Sequence, residues 1–253
     1  MSETNVNIVA GLRPVLEAVK AGRAVERVLF RQGLDGELFR ELQSLLAEKN
    51  VPVQFVPAAK LNSLTSVAHQ GVAAYLPLIE YADMERVLSD VQQQNRVPLV
   101  LLLDGITDVR NFGGIARSAE CAGVQLIIVP SKGAASINTE AIKTSAGALA
   151  RIPVCRTPNL REAIYYLKDC GLQVVAATEK ATQALYAADF RRPTAVVVGA
   201  EDTGISASVL KLADATVRIP LQGDIASLNV SAATAVVLFE AVRQRELKME
   251  NDR

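Results

Sequence analysis

Five short and nearly uninterrupted apolar segments in the second half of the chain constrain the fold more than any other feature. They read PLVLLLD, QLIIVP, QVVAAT, TAVVVG and TVRIP. Runs without polar alternation are typical of parallel strands that are buried on both faces. The helical patterns IARSAECAG, LREAIYYLKDC and ISASVLKLA separate most of them. This alternation predicts an α/β domain with a parallel sheet between layers of helices.

The first part of the chain has a different pattern and predicts a separate domain. Residues 1–78 contain two amphipathic helices, in GLRPVLEAVKAG and GELFRELQSLLAEKN, and short strands in VERVLFR, PVQFVP and GVAAYLPL. We expect a small α/β unit there. Residues 79–96 are polar, with a short helix and a Gln/Asn run, and are predicted to form a linker. Residues 97–253 form the second domain, which closes with the long helical pattern NVSAATAVVLFEAVRQRELK.

The composition narrows the functional class. The chain has 27 Lys plus Arg residues and 27 Asp plus Glu residues, so its formal net charge is zero. Proteins that bind nucleic acids without specificity usually have a net basic charge, which this chain lacks. A zero net charge still allows a local basic patch. No run approaches the ~18 apolar residues of a membrane span. The start MSETNVNIVAGLRP does not resemble a secretory signal, so we expect a cytoplasmic protein. The three cysteines lack a C-x-x-C spacing and are expected to be small buried residues.

Several common chemistries are excluded by missing residues. His69 is the single histidine and lies in the first domain, so neither a catalytic triad in the second domain nor a multi-histidine metal site is expected. The chain has no P-loop motif and no G-x-G-x-x-G after a strand, which disfavours a nucleotide-binding oxidoreductase. No metal cofactor is predicted.

The end of the first apolar strand carries an unusual group of residues. After Asp104, a predicted loop with Asn111 and the pair Gly113–Gly114 leads into a helix that contains Arg117. Glycines before a helix allow backbone N–H groups to approach an anion, and an arginine just inside the helix can fork onto phosphate. An ordinary helix entry with a surface arginine explains the same segment equally well.

Two further strand ends are polar. VVVGAEDTGIS places Glu201 and Asp202 in a turn after Gly199, which taken alone is ordinary turn chemistry. RIPLQGDIASLNVSAATAVVLFE places Ser227 and Asn229 before the final helix, where either residue is a plausible N-cap. Ligands of open α/β sheets bind outside the carboxyl ends of strands, so the three segments belong to one predicted site.

Taken together, the three segments resemble a known family. N-F-G-G-I-A-R, V-G-A-E-D-T-G and I-P-L-Q-G…S-L-N-V-S are similar, in order and spacing, to the motifs of SpoU-type (TrmH-like) RNA ribose 2′-O-methyltransferases of the SPOUT superfamily. The resemblance covers roughly residues 97–246. GLRPVLEAV and HQGVAA resemble the small substrate-binding domain of a subset of the family. That subset includes the enzyme that modifies a guanosine in the peptidyl-transferase region of large-subunit ribosomal RNA.

The resemblance implies a fold, a reaction and partners. The catalytic domain would carry a trefoil knot near its C-terminus. It would transfer a methyl group from S-adenosylmethionine to the ribose 2′-hydroxyl of a guanosine in 23S ribosomal RNA. The protein would be a homodimer through the knot and the final helix, whose apolar face includes Ala232, Val236 and Phe239. A tRNA ribose methyltransferase, an antibiotic-resistance enzyme acting on a ribosomal adenosine and an RNA-binding module without activity remain alternatives.

The resemblance also implies residue roles. Arg117 would be the central catalytic residue, orienting the RNA phosphate and stabilising a developing alkoxide, a role that suits a guanidinium better than that of general base. The residues implied to orient groups around it are Asn111, Glu201, Ser227 and Asn229. The residues implied to hold the cofactor, partly through their backbone, are Gly199, Ile219, Leu221 and Leu228. The implied RNA contacts are Arg13, Arg243 and Arg245.

Overall fold

The computed structural model describes residues 8–65 and 67–251, and it divides the chain into two compact units at Glu80 and Tyr81. The α/β architecture agrees with the prediction from the sequence. Among the described residues, no helix has the length and apolar character that crossing a membrane requires.

The first unit is a four-stranded sheet with helices on both faces. Its elements are β1 (Ile8–Ala10), α1 (Leu12–Lys20), β2 (Arg27–Arg31), α2 (Glu37–Glu48), β3 (Val53–Val56), α3 (Ala58–Leu64) and β4 (Val72–Tyr75). The strand order is β1-β4-β2-β3, in which β2 and β3 are parallel and β4 is antiparallel to both of its neighbours. Val28 and Phe30 pack against α1 and α2, whereas Leu29 packs with Leu61 of α3. The pairing of β1 and the helix α3 were not predicted.

The second unit is a seven-stranded parallel sheet. Its elements are α4 (Met84–Gln93), β5 (Leu99–Asp104), α5 (Val109–Cys121), β6 (Leu126–Pro130), α6 (Thr139–Thr144), β7 (Val154–Thr157), α7 (Leu160–Asp169), β8 (Gln173–Ala177), β9 (Gln183–Ala184), β10 (Thr194–Gly199), α8 (Ala207–Leu210), β11 (Ala215–Arg218) and α9 (Val230–Asn251). The first five residues of β5 and of β10 are buried, as their continuous apolar sequences predict.

The strand order of this sheet fixes where a ligand can bind. It is β7-β6-β5-β10-β8-β11-β9. The chain moves outward from β5 to β7, then forms β8 and the edge strand β9 on the other side of β5, and afterwards inserts β10 next to β5 and β11 between β8 and β9. The direction of winding therefore reverses between β5 and β10, which are paired from Leu99 and Thr194 up to Asp104 and Gly199. Such a switch point opens a crevice at the carboxyl ends of the strands.

The predicted linker is largely part of the second unit. Helix α4 occupies most of its length and begins after Asp83, whose carboxylate accepts a hydrogen bond from the Arg86 backbone at 2.8 Å. Leu88 of α4 is buried in the same core cluster as strands β5, β6 and β8. The sequence of this helix is polar on one face only, and the apolar positions on the other face dock it onto the sheet.

Candidate active site

Two adjoining cavities lie at the carboxyl ends of the strands, beside the switch point. The first, here called the cofactor cavity, is lined by the ends of β8, β10 and β11 and by the segment before α9. The second, here called the polar cleft, is lined by residues that follow β5 and β10, among them Asp108, Asn111 and Asp202. Ala200, Glu201 and Val230 line both cavities, so a group bound in one lies next to a group bound in the other.

Helix α5 begins earlier than the sequence suggested. Asp108 is its N-cap, and its carboxylate accepts a hydrogen bond from the Asn111 backbone at 2.8 Å. Gly113 and Gly114 therefore lie inside the helix and do not form an anion-binding loop, which corrects the prediction. Their role is close packing, because a Cβ on Gly113 would lie 2.7 Å from Cβ of Thr144. A Cβ on Gly114 would lie 3.2 Å from Cβ of Ser231 at the start of α9.

The turn after β10 has the predicted form. Gly204 has a φ of +68°, and its backbone N–H donates to Ala200 at 2.9 Å to close the turn. Gly199 has no room for a side chain, because a Cβ there would overlap the backbone of Gly204. The turn consequently folds back tightly on the strand end and directs Glu201 towards the start of α9.

Asn229 connects all three motifs. Its side-chain NH2 group donates to the side-chain oxygen Oδ1 of Asn111 at 2.9 Å and to the carboxylate of Glu201 at 2.5 Å. The same carboxylate oxygen accepts the backbone N–H of Val230 at 3.0 Å. The side-chain oxygen Oδ1 of Asn229 caps α9 by accepting from the backbone N–H and the hydroxyl of Ser231. Residues that are distant in sequence thus form one connected polar cluster between the cavities.

The cofactor cavity suits an adenosine derivative. All four residues predicted to hold the cofactor line it: Gly199, Ile219, Leu221 and Leu228. Aliphatic side chains provide walls for a planar base, and the exposed strand ends provide backbone polar groups for its edge. Ser227 also lines this cavity and is exposed.

Arg117 lies apart from the polar cluster in the single chain. It is exposed on α5 and is not among the residues that line either cavity. Within residues 8–65 and 67–251, its guanidinium makes no hydrogen bond or ion pair. Any catalytic contribution from Arg117 therefore requires a partner that brings an anion to it, such as an RNA phosphate.

Arg245 has a structural role, which corrects the prediction that it contacts RNA. Its guanidinium donates to the backbone carbonyls of Phe190, Val97, Pro98 and Arg192 at 2.9–3.1 Å. Burial lowers the pKa of this guanidinium to about 10, so it stays charged at neutral pH. The side chain therefore ties α9 to the beginnings of β5 and β10.

The other two predicted RNA contacts differ from each other. Arg243 forms a two-pronged ion pair with the buried carboxylate of Glu240, at 2.7 and 2.8 Å. The hydrogen bonds from Arg243 hold the pKa of Glu240 below its usual range. Arg13 in the first unit is exposed. Of the three arginines, Arg13 is thus the one whose surroundings best fit an RNA contact.

Sequence reasoning missed one side of the cofactor cavity. Ala177, Thr178 and Glu179 line it at the end of β8. The sequence predicts a strand at QVVAAT, but nothing in the chain order indicates that β8 lies between β10 and β11. A polar pair directly after a buried strand was the available signal.

Comparison with known proteins now identifies the family. The model of the SpoU rRNA methylase family matches residues 98–239, which contain every residue of the polar cluster. The chain belongs to the SpoU methylase family. A second family model, that of the RNA 2′-O ribose methyltransferase substrate-binding domain, matches residues 8–82. The protein is therefore an RNA ribose 2′-O-methyltransferase that uses S-adenosylmethionine.

Some relatives of this SpoU protein extend over nearly its whole length, and others match a smaller part of it. A TrmH family tRNA/rRNA methyltransferase of Staphylococcus saprophyticus is 32% identical over 94% of this chain and 96% of its own. The structure of the SpoU methyltransferase AviRb from Streptomyces viridochromogenes with AdoMet is 28% identical, with a TM-score of 0.61. It covers 95% of this chain and 90% of that one. The TrmH/SpoU tRNA modifying enzyme of A. aeolicus, 29% identical with a TM-score of 0.57, covers 67% and 87%.

Proposed function

We propose that this SpoU enzyme methylates the ribose 2′-hydroxyl of a guanosine in 23S ribosomal RNA in the cytoplasm. The observation that carries the proposal is the pairing of a substrate-binding unit with the catalytic unit. The A. aeolicus tRNA enzyme matches only 67% of this chain, whereas AviRb matches 95%. An added RNA-binding unit suits a substrate that is recognised over an extended surface beyond the modified nucleotide.

The cofactor, the polar cluster and Arg117 would have different roles in methyl transfer. Bound S-adenosylmethionine supplies an electrophilic methyl group. Asn111, Glu201 and Asn229 hold one another in place, so the ribose hydroxyl would meet a preorganised set of amide and carboxylate groups. Arg117 would bind the adjacent phosphate with its planar fork and stabilise negative charge that develops on the ribose oxygen. Ser227, in the wall of the cofactor cavity, would orient the segment before α9.

One end of the first unit offers a surface for RNA. The carboxyl ends of β1, β2 and β3 and the amino end of β4 lie together, as the pairing of these strands requires. Arg13, Arg31 and Lys60 follow or end these strands and are exposed. Their side chains make no hydrogen bond or ion pair with the described parts of the chain. Three uncompensated cations at one end give a local attraction for phosphate that the zero net charge of the whole chain conceals.

The HQG segment shapes this same end. The two ring nitrogens of His69 contact the amide oxygen of Asn62 at 2.7 Å and the backbone N–H of Gly71 at 3.0 Å. Gln70 has a φ of +48° and an exposed side chain. His69 thus holds the turn in place, and Gln70 is the member of the motif that remains available to hydrogen-bond with an RNA base.

Mapping of methylation in cells tests the choice of substrate. Ribosomal RNA and tRNA from cells with and without the gene would be compared for 2′-O-methylation at every nucleotide. We expect one 2′-O-methylguanosine in 23S ribosomal RNA to disappear with the gene and to return with the wild-type copy. Loss of a methyl group from tRNA alone, or from a ribosomal adenosine, would contradict the proposed substrate.

A homodimer through α9 is the second part of the proposal; the trefoil knot remains a prediction from the resemblance. Ala232, Val236 and Phe239 form an exposed stripe on this helix, and 48% of Phe239 is accessible. Val237, Leu238 and Ala241 on its other side are buried in the unit's own core. A helix that exposes apolar residues at helical spacing opposite its packed face suits burial against a second copy.

Replacing Phe239 with glutamate should weaken the dimer. A buried aromatic anchor contributes about 2 kcal/mol or more to an interface, so we expect dissociation to be favoured by ~30-fold or more in sedimentation equilibrium. Tyr165→Glu, on a similarly exposed aromatic of α7, is the matched control and should leave association unchanged. A wild-type protein that sediments as a monomer, or a Phe239→Glu dimer of normal affinity, would contradict this interface.

A further inference from the structure

The cofactor cavity has an unusual distribution of charge. Its ionisable lining residues are Glu179 and Glu201, and no lysine, arginine or histidine lines it among the described residues. S-adenosylmethionine carries a sulfonium and an ammonium cation against one carboxylate, so its net charge is positive. Two carboxylates therefore face a cationic ligand that also bears two ribose hydroxyl donors. The two carboxylates differ in how many hydrogen bonds they already accept within the protein.

Glu201 already accepts hydrogen bonds from other parts of the protein. One of its oxygens accepts both the Asn229 amide and the Val230 backbone N–H. Glu179, in contrast, is exposed, and within the described parts of the chain its carboxylate accepts a hydrogen bond only from the hydroxyl of Thr178, at 3.4 Å. Such a long contact satisfies only a small part of the accepting capacity of a carboxylate. Glu179 is thus the acidic group of the cavity that is open to a ligand.

The position of Glu179 indicates which part of the ligand it meets. The methyl group must point to the polar cluster of Asn111, Glu201 and Asn229, which lies beyond the end of β10. Glu179 follows β8, the neighbour of β10 on the side away from β5, about 4.8 Å further along the sheet. The ribose ring of the cofactor is attached to the sulfur through a single carbon, so the ribose can reach from the end of β10 to the end of β8. In nucleotide-binding sheets, an acidic side chain at a strand end commonly accepts from ribose hydroxyls.

We propose that Glu179 binds the ribose hydroxyls of the cofactor and is a specificity-determining residue for the adenosine part. This inference rests on the cofactor of the family and is independent of which RNA is modified. Glu179 does not touch the transferred methyl group in this account. Its loss should weaken binding of every ligand that contains the intact adenosine ribose, whatever is attached to the sulfur.

Calorimetric titrations without RNA test this assignment. The ligands are S-adenosylhomocysteine, 5′-methylthioadenosine, which lacks the amino-acid part, and 5′-methylthio-2′-deoxyadenosine. Glu179→Ala should lower the binding affinity for the first two ligands by a similar factor of ~10, which is the usual effect of losing a hydrogen bond to a charged group. Glu179→Gln should lose less affinity, because the amide oxygen of glutamine can still accept a hydrogen bond from a ribose hydroxyl. The 2′-deoxy ligand should bind the wild type more weakly and should respond less to Glu179→Ala.

The controls separate the competing explanations. Asp169→Asn removes an exposed carboxylate at the end of α7, outside the cavity, and should leave all three affinities unchanged. If Glu179→Ala weakened S-adenosylhomocysteine but spared 5′-methylthioadenosine, Glu179 would pair with the ammonium group and the proposal would be wrong. Unchanged affinities for all ligands would overturn it as well. Failure of the wild type to bind any of them would instead contradict the cofactor cavity itself.

Discussion

Replacing Arg117 with alanine should lower the rate of methyl transfer by at least ~100-fold, or about 2.7 kcal/mol of transition-state stabilisation. The guanidinium is exposed on α5 and has no partner among the described residues, so its contribution comes from RNA phosphate and the developing charge on the ribose oxygen. Arg117→Lys keeps the charge but loses the planar fork and should show a loss of similar size. Single-turnover rates with saturating RNA measure both effects.

The affinity for the cofactor separates this role from a general disturbance. Arg117 does not line the cofactor cavity, so Arg117→Ala should bind S-adenosylhomocysteine normally. Leu228→Trp should instead weaken the binding of S-adenosylhomocysteine, because Leu228 lines the cofactor cavity and the larger side chain fills it. Arg161→Ala, on the exposed face of α7, is the control for loss of a surface arginine. Near-normal turnover in Arg117→Ala would end the catalytic assignment.

Replacing Asn229 with aspartate should also reduce turnover by ~100-fold or more. The carboxylate can still cap α9, a position that favours negative charge. It cannot donate a hydrogen bond, however, and it places a second carboxylate against Glu201 and against the side-chain oxygen of Asn111. The connected cluster should therefore open while the helix remains formed. Single-turnover rates and thermal unfolding, measured on the same preparations, distinguish loss of geometry from loss of folding.

The chain contains a closely matched control for this substitution. Asn159 caps α7 by accepting from the Arg161 backbone at 3.0 Å, and its amide donates to Glu162 at 3.0 Å. Asn159→Asp therefore makes the same chemical change at a helix start outside both cavities. We expect it to keep full activity. Equal losses in both variants would mean that Asn229 acts through stability alone.

The sequence predicted those features that depend on local pattern. Continuous apolar runs identified strands such as β5 and β10, because burial on both faces removes polar alternation. The three polar strand ends pointed to one site, because parallel strands bring their carboxyl ends to the same edge. The convergence of Asn111 and Asn229 on Glu201 follows from that topology together with the order of the strands.

Features that depend on packing between distant segments escaped prediction. Gly113 and Gly114 looked like a phosphate loop, but their need for space becomes visible only when Thr144 and Ser231 are placed beside them. Arg245 looked like a surface charge at the end of a helix, and the four carbonyls that it binds come from two other segments. Glu179 follows a buried strand, but the sequence does not show that this strand borders the cofactor cavity, because the position of β8 in the sheet is set by the fold as a whole.

The chemical position of the transferred methyl group tests the central claim most directly. The purified protein would be incubated with unmodified 23S ribosomal RNA or with tRNA, and with S-adenosylmethionine labelled on the methyl group. The RNA would then be digested to nucleosides and examined by mass spectrometry. We predict label in 2′-O-methylguanosine from 23S ribosomal RNA, with at least ~100-fold less from Arg117→Ala. Label on a base nitrogen or carbon, or no transfer to either RNA, would contradict the account.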